Sequence, residues 1–119
     1  MDLSILVISW NTLEMTRACL ASVFEGLGGL SAEVILVDNS SDDGSAAMVE
    51  DAFPQVRLIR NDANLGFAAA NNVALRQATG RHGMLLNSDT IVHGHVLPAS
   101  VAFLDAHPDV GAMGCKVLN

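Results

Sequence analysis

Basic side chains are scarce in this chain. Six Lys and Arg stand against thirteen Asp and Glu in 119 residues, a formal net charge of -7. Arg17, Arg57, Arg60, Arg76, Arg81 and Lys116 are scattered, with no basic run or stripe. The electrostatic footprint of a nucleic-acid binder is therefore missing, and no nucleic acid is expected as a partner. Cysteine is nearly as sparse. Cys19 and Cys115 lie far apart without ligand spacing, and the four His residues complete no zinc pattern. Two free thiols in a reducing compartment are expected. No apolar run approaches membrane-spanning length, and Met1-Asp2-Leu3 lacks the basic region and cleavage site of a signal peptide. The expected location is the cytoplasm, free or at the inner face of the membrane. The phosphate-binding loops are absent too. Ser9-Trp10-Asn11-Thr12-Leu13-Glu14 follows the first apolar run in place of G-x-G-x-x-G, and no Walker A pattern exists. An anionic ligand would need something besides the chain's own cations to neutralise it, and a divalent metal ion is the economical answer.

What is present points to a folded α/β chain. Half the residues are hydrophobic and 16% are charged, which favours folding over disorder, and the length suits one domain spanning 1–119. Leu3–Ser9 is apolar at nearly every position, as a strand buried on both faces would be. Asn11 with Glu14 fits a capping box. Leu13, Thr16, Leu20, Val23, Phe24 and Leu27 follow at helical spacing up to Gly28-Gly29. Ala32–Val37 predicts a second strand ending at Asp38, Ser45–Phe53 a helix, Val56–Ile59 a third strand, and Phe67–Thr79 the longest helix. Met84–Leu86 reads as a fourth, buried strand. Pro98 suits the first turn of a helix to about Ala106, and Val110–Val117 a last strand. This alternation predicts an α/β, three-layer, mostly parallel Rossmann-like sheet with helices on both faces.

Three polar clusters end three of these strands: Ser9-Trp10-Asn11, Asp38-Asn39-Ser40 and Asn87-Ser88-Asp89. A right-handed wind brings them to one edge, where open α/β sheets hold ligands. Trp10 could stack on a base, Asp38 could accept from a base N–H or a ribose hydroxyl, and Asp89 could hold a cation on phosphates. His93-Gly94-His95 is a weak metal signal in a turn and reads as solvent-exposed. A receiver-like signalling domain would need an aspartate ending the third strand, where Ile59-Arg60-Asn61 stands.

These residues carry a resemblance. Ile8-Ser9-Trp10-Asn11, Val37 through Ser45, Asn64-Leu65-Gly66-Phe67 through Asn71-Asn72, and Leu85 through Thr90 resemble the amino-terminal half of a family 2 glycosyltransferase with the A-type (GT-A-like) fold. They resemble most its rhamnosyltransferase-like subgroup, and Pro108-Asp109-Val110-Gly111 extends the likeness. The resemblance implies a nucleotide-diphosphate sugar donor (UDP- or dTDP-linked), Mg2+ or Mn2+, and inverting transfer to a hydroxyl of a glycan or lipid-linked acceptor. It implies nucleotide contacts from Ile8, Trp10, Asp38, Asn64, Asn72, Asn87 and Ser88, with Asp89 on the metal. Three positions depart from the family pattern. Asn87 stands where many relatives carry aspartate, Asn71 where many carry a phosphate-facing arginine, and Ala74 at a usual glycine. The family's catalytic base and acceptor-binding region lie beyond residue 119, so no base is assigned. Exposed apolar surface left by a missing half would favour a homodimer.

Overall fold

The computed structural model describes residues 1–114 and contains four strands and four helices in strict alternation. These are β1 (Leu3–Ser9), α1 (Leu13–Glu25), β2 (Ala32–Asp38), α2 (Ser45–Ala52), β3 (Arg57–Arg60), α3 (Phe67–Gln77), β4 (His82–Asn87) and α4 (Val96–Ala106). The strands form one parallel sheet in the order β3-β2-β1-β4. All seven residues of β1 are buried, as expected of a central strand covered on both faces.

The two faces carry unequal cores. On one, Ile5 and Val7 of β1 and Val34 and Leu36 of β2 meet Cys19, Leu20 and Val23 of α1, Met48 and Val49 of α2, and Leu97 and Val101 of α4. On the other, Leu6, Ile8, Ile35 and Val37 meet Ala70 and Ala74 of α3, with Ile59, Val73 and Ala78 partly buried around them. Those two alanines, both fully buried, let α3 lie close against β1 and β2. The expectation of helices on both faces holds, with three on one side and one on the other.

Two expectations about β4 are corrected. Its pairing begins at His82, because the backbone N–H groups of Arg81 and His82 donate to the carbonyls of Met1 and Asp2 and draw the chain into register early. It is also an edge strand among the described residues rather than a buried one. Only Leu86 is buried, whereas Gly83, Leu85 and Asn87 are exposed. The strand expected at Val110–Val117 is absent over residues 110–114, which are irregular; its remainder lies outside the described residues. α3 stops at Gln77, so α1 is the longest helix.

The capping box at Asn11 and Glu14 is not formed. Asn11 adopts a left-handed conformation, φ 51°, and its Oδ1 accepts from the Asp42 amide at 2.9 Å. Asp43 reaches across instead. One of its carboxylate oxygens accepts from the Leu13 amide at the start of α1, 3.1 Å away, and the other from the Ser45 amide at the start of α2, 3.0 Å away. A carboxylate suits both helix amino termini.

Candidate functional site

Parallel pairing places the three polar clusters side by side. Ser9 is level with Asp38, Ile8 with Asn87, and Asp38 with Arg60. The sequence turns back between β1 and β4: α1 carries the chain to one side of β1, and α3 carries it back across to the other. That is the switch point at which open α/β sheets open a crevice.

On the β2 side, Asp38 is 3% exposed. Its Oδ2 accepts from the Ser41 amide at 3.0 Å, while its buried Oδ1 has no hydrogen-bond partner among the described residues. Leaving a buried acceptor unmatched costs about 1–3 kcal/mol. Asn39, a member of the second polar cluster to which the sequence assigned no contact, organises this wall. It is 2% exposed, its amide donates to the Ser9 carbonyl, its Nδ2 to the Gly66 carbonyl, and its Oδ1 accepts from Asn61 Nδ2 and the Leu65 amide. It thereby holds the β1, β2 and α3 loops together. Its adjacency to Asp38 was the one sequence signal for that role. Trp10, next along from Ser9, is 52% exposed.

On the β4 side, the Thr90 amide donates to the Asn87 carbonyl at 3.0 Å and closes a tight turn. This turn presents Asn87 and Asp89 to solvent and buries Ser88. Beside it an open groove of about 1110 Å³ runs along β4, with Phe67, Leu85, Asn87, Asp89, Thr90 and His93 on its walls. The thiol of Cys19 lies beneath, 3.7 Å from the Asn87 carbonyl oxygen. Burial, and then the nearby Asp89 charge, push its pKa up to about 11.

Sequence expectation and structure agree unevenly on the other residues. The side chain of Ile8 is in the smaller core under α3. Asn64 is exposed and its Oδ1 accepts from the Gly66 amide at 2.9 Å, a local turn contact. Asn72 is on the exposed side of α3; the inward position belongs to Asn71, 5% exposed, whose buried Oδ1 also has no partner among the described residues. His93 and His95 are exposed, as expected. No group of three or more His, Cys, Asp or Glu that could hold a metal is found among the described residues. A cation here would rest on Asp89, with Asn87 as a neutral oxygen donor, and would need phosphate oxygens and waters to complete its shell. Mg2+ accepts such a sparse protein set, so the donor chemistry fits.

Residues 4–118 match Glycosyl transferase family 2. The chain belongs to that family. It is 31% identical over 106 residues to the succinoglycan biosynthesis protein ExoO of Rhizobium meliloti, covering 88% of this chain and 30% of that protein. It is 28% identical over 101 residues to the UDP-Glc:alpha-D-GlcNAc-diphosphoundecaprenol beta-1,3-glucosyltransferase WfgD of Escherichia coli, covering 85% of this chain and 40% of that one. Among solved structures it resembles S. aureus TarS 1-349 in complex with UDP-GlcNAc, at a TM-score of 0.79 and 26% identity, covering 98% of this chain and 37% of that one. Its fold also resembles the mannosyltransferase PcManGT of Pyrobaculum calidifontis, solved with GDP-Man and Mn2+, at a TM-score of 0.75 and 24% identity, covering 84% of this chain and 31% of that one. The chain spans 13% to 40% of the length of the curated relatives it matches. These likenesses establish the family and the GT-A architecture, and lend no support to the rhamnosyltransferase-like subgroup.

Proposed function

We propose that this chain is the donor-binding part of a metal-dependent, inverting glycosyltransferase that takes a UDP- or dTDP-linked sugar. The observation that carries the reading is the unmatched Oδ1 of buried Asp38 at the switch point. Uracil and thymine both present a ring N–H that would complete it, with Trp10 against the base. The oxygen is shielded in the present conformation, so the base reaches it when the loop of residues 40–43 yields. Ser40 in that loop already adopts a left-handed φ of 68°, a conformation that costs a residue with a Cβ.

Asp89, assisted by Asn87, is the residue that would hold Mg2+ or Mn2+ on the diphosphate. Such an ion supplies Lewis-acid stabilisation to a departing diphosphate. The chain's own residues then bind and orient: Asp38 and Trp10 hold the base, the Asn87–Thr90 turn holds the phosphate end, and the groove along β4 leaves room for sugar and acceptor. An acceptor hydroxyl displaces the diphosphate at the anomeric carbon. The acceptor is a glycan or a lipid-linked sugar, by analogy with the diphosphoundecaprenol substrate in the name of the E. coli relative, and a lipid-linked acceptor places the reaction at a membrane surface. No helix among the described residues is long and apolar enough to cross one.

Calorimetric titration of UDP and dTDP in Mn2+ tests the base contact. Asp38→Ala is expected to weaken binding by about tenfold or more, the effect of losing one hydrogen bond to a charged acceptor. Unchanged affinity in that variant would overturn the assignment of Asp38.

A second reading, self-association, is favoured by the outer edge of β4, which is unpaired among the described residues and exposes Leu85 by 55%. Unpaired strand edges recruit further strands. Sedimentation should then show a dimer that Leu85→Lys dissociates; a monomer at every concentration contradicts it.

A further inference from the structure

Four hydroxyls meet where β1 and β4 diverge. Ser9 Oγ lies 3.0 Å from Thr16 Oγ1 and 3.4 Å from Thr12 Oγ1. Thr12 Oγ1 lies 3.0 Å from Thr16 Oγ1 and 2.9 Å from Ser88 Oγ, 76 residues away in sequence. Ser9 and Thr16 are fully buried and Ser88 is 8% exposed. Each hydroxyl brings one proton and two lone pairs, so the set can satisfy itself without solvent. Ser9, Thr16 and Ser88 are held in place, because a buried hydroxyl that leaves the set has nowhere else to bond, and Thr12 is the half-buried member.

Thr12 is the link between the two sides. It stands at the N-cap of α1, where a threonine hydroxyl ordinarily bonds the first turn of its own helix, yet it makes no side-chain cap there. Asp43 accepts from the Leu13 amide at the same helix start, and the Thr12 hydroxyl crosses to Ser88 instead of folding back on its own helix. Ser88 immediately precedes Asp89, in a turn otherwise tied by the Thr90 amide and the Cys19 thiol to the Asn87 carbonyl.

We infer that Thr12 is a positioning residue: its hydroxyl, braced by Thr16 and Ser9, fixes the Ser88–Asp89 turn and so aims the Asp89 carboxylate at the crevice. The loop after β1, which lies against the base, is thereby coupled to the loop that carries the cation. The consequence for ligand affinity rests on the nucleotide-and-metal reading above; the ordering of the turn does not.

The test uses the 119-residue chain as wild type, Thr12→Val, which keeps the shape and removes the hydroxyl, and Thr12→Ser, which restores it. Two readouts separate the parts of the inference. In the first, without ligand, amide hydrogen exchange at Thr90, whose N–H donates to the Asn87 carbonyl, is expected to accelerate about tenfold in Thr12→Val, the effect of one lost hydrogen bond. Exchange at the core amides of β1 should be unchanged, and Thr12→Ser should return to wild type. In the second, affinity for UDP in Mn2+ is expected to fall by about the same factor in Thr12→Val, with affinity for UDP in EDTA unaltered and Thr12→Ser again restored.

Wild-type exchange at Thr90 in Thr12→Val would overturn the inference, and so would a Thr12→Ser chain as impaired as Thr12→Val. If the wild type bound no UDP while the exchange result held, the positioning role would stand and the nucleotide reading would fall. Should Thr12→Val fail to fold, Ser88→Ala removes the same contact from the other side and must give the same accelerated exchange.

Discussion

Asp43 shows how much one side chain can settle. Its carboxylate joins the amino termini of two helices that are adjacent in space, and Ser45 foremost holds its pKa below the ordinary value. In the sequence Asp43 is one of two aspartates in a turn, and nothing local says which carboxylate reaches a helix start 30 residues away. The same holds for Asn11, whose spacing to Glu14 suggests a capping box but whose side chain instead ties the β1 loop to the β2 loop. Local motifs are legible when the partner is local and illegible when tertiary contacts compete for the same atoms. Cys19 is a residue-scale test of the site's floor. With its thiol buried and its pKa raised to about 11, almost no thiolate exists at pH 8. Peptide mapping after brief iodoacetamide treatment of the native chain should find Cys19 unmodified, and fully modified after unfolding in guanidinium. Rapid labelling of Cys19 in the folded chain would show that the floor beneath the Asn87–Thr90 turn is open.

At the scale of elements, the sequence was most informative where burial is symmetrical. β1 and β2 read as continuous apolar runs because helices cover both faces. β4 reads the same way over Met84–Leu86, yet it is an edge among the described residues, since three apolar residues in a row look alike whether or not a further strand lies beyond. The amino-terminal end of β4 depends on a close approach that no apolar pattern reveals. A Cβ at Gly80 would lie 2.6 Å from the backbone nitrogen of Ser4 and 2.7 Å from the carbonyl carbon of Leu3, and the Gly80 amide donates to Ser4 Oγ at 2.8 Å. Both atoms belong to the Leu3–Ser4 peptide of β1, which cannot yield as a flexible side chain would. Gly80→Ala is therefore expected to destabilise the chain by about 1–3 kcal/mol, read as a lower midpoint in urea. An unchanged midpoint would mean that β1 and β4 separate freely at that end.

Across the described residues, the candidate site and an ionic seam lie at opposite edges of the sheet. The candidate site occupies the carboxyl edge of the sheet. The opposite edge carries an ionic and hydrogen-bonded seam, in which Arg81 pairs with Asp2 and Asp105, both at 2.8 Å, and His82 Nε2 lies 2.8 Å from Asp105. Nearby, Glu33 Oε2 accepts from Ser4 Oγ and from the amide and hydroxyl of Thr79. The pKa of Asp2 is lowered, first by the Ser31 amide and then by Arg81, and that of Asp105, first by His82 and then by Arg81. Burial pushes Glu33 upward, but its hydrogen bonds outweigh that and leave it lowered. Carboxyls with lowered folded pKa values stabilise above their ordinary values, 3.8 for Asp2 and Asp105 and 4.5 for Glu33, and lose that contribution as pH falls through the folded values. Thermal midpoints should be flat with respect to carboxyl titration near neutrality and fall below about pH 4.5, and Glu33→Gln should make that fall shallower. An acid limb of equal steepness in Glu33→Gln would remove Glu33 from this account. The segregation of the two edges was legible only in part. The three polar clusters announced the functional edge, whereas the seam joins residues from both ends of the chain and has no sequence signature.

The central claim is that Trp10 and Asp89, 79 residues apart in sequence, serve one metal-dependent nucleotide site. The single tryptophan of the chain permits a direct measurement: titrate UDP against Trp10 fluorescence with Mn2+ and with EDTA, in wild type and in Asp89→Ala. The account predicts a saturable change in Mn2+ that is at least about tenfold weaker in EDTA and in Asp89→Ala, as expected on losing charge-assisted contacts to the diphosphate. A change of equal affinity in all four titrations would contradict it, because nucleotide would then bind without the carboxylate assigned to its metal.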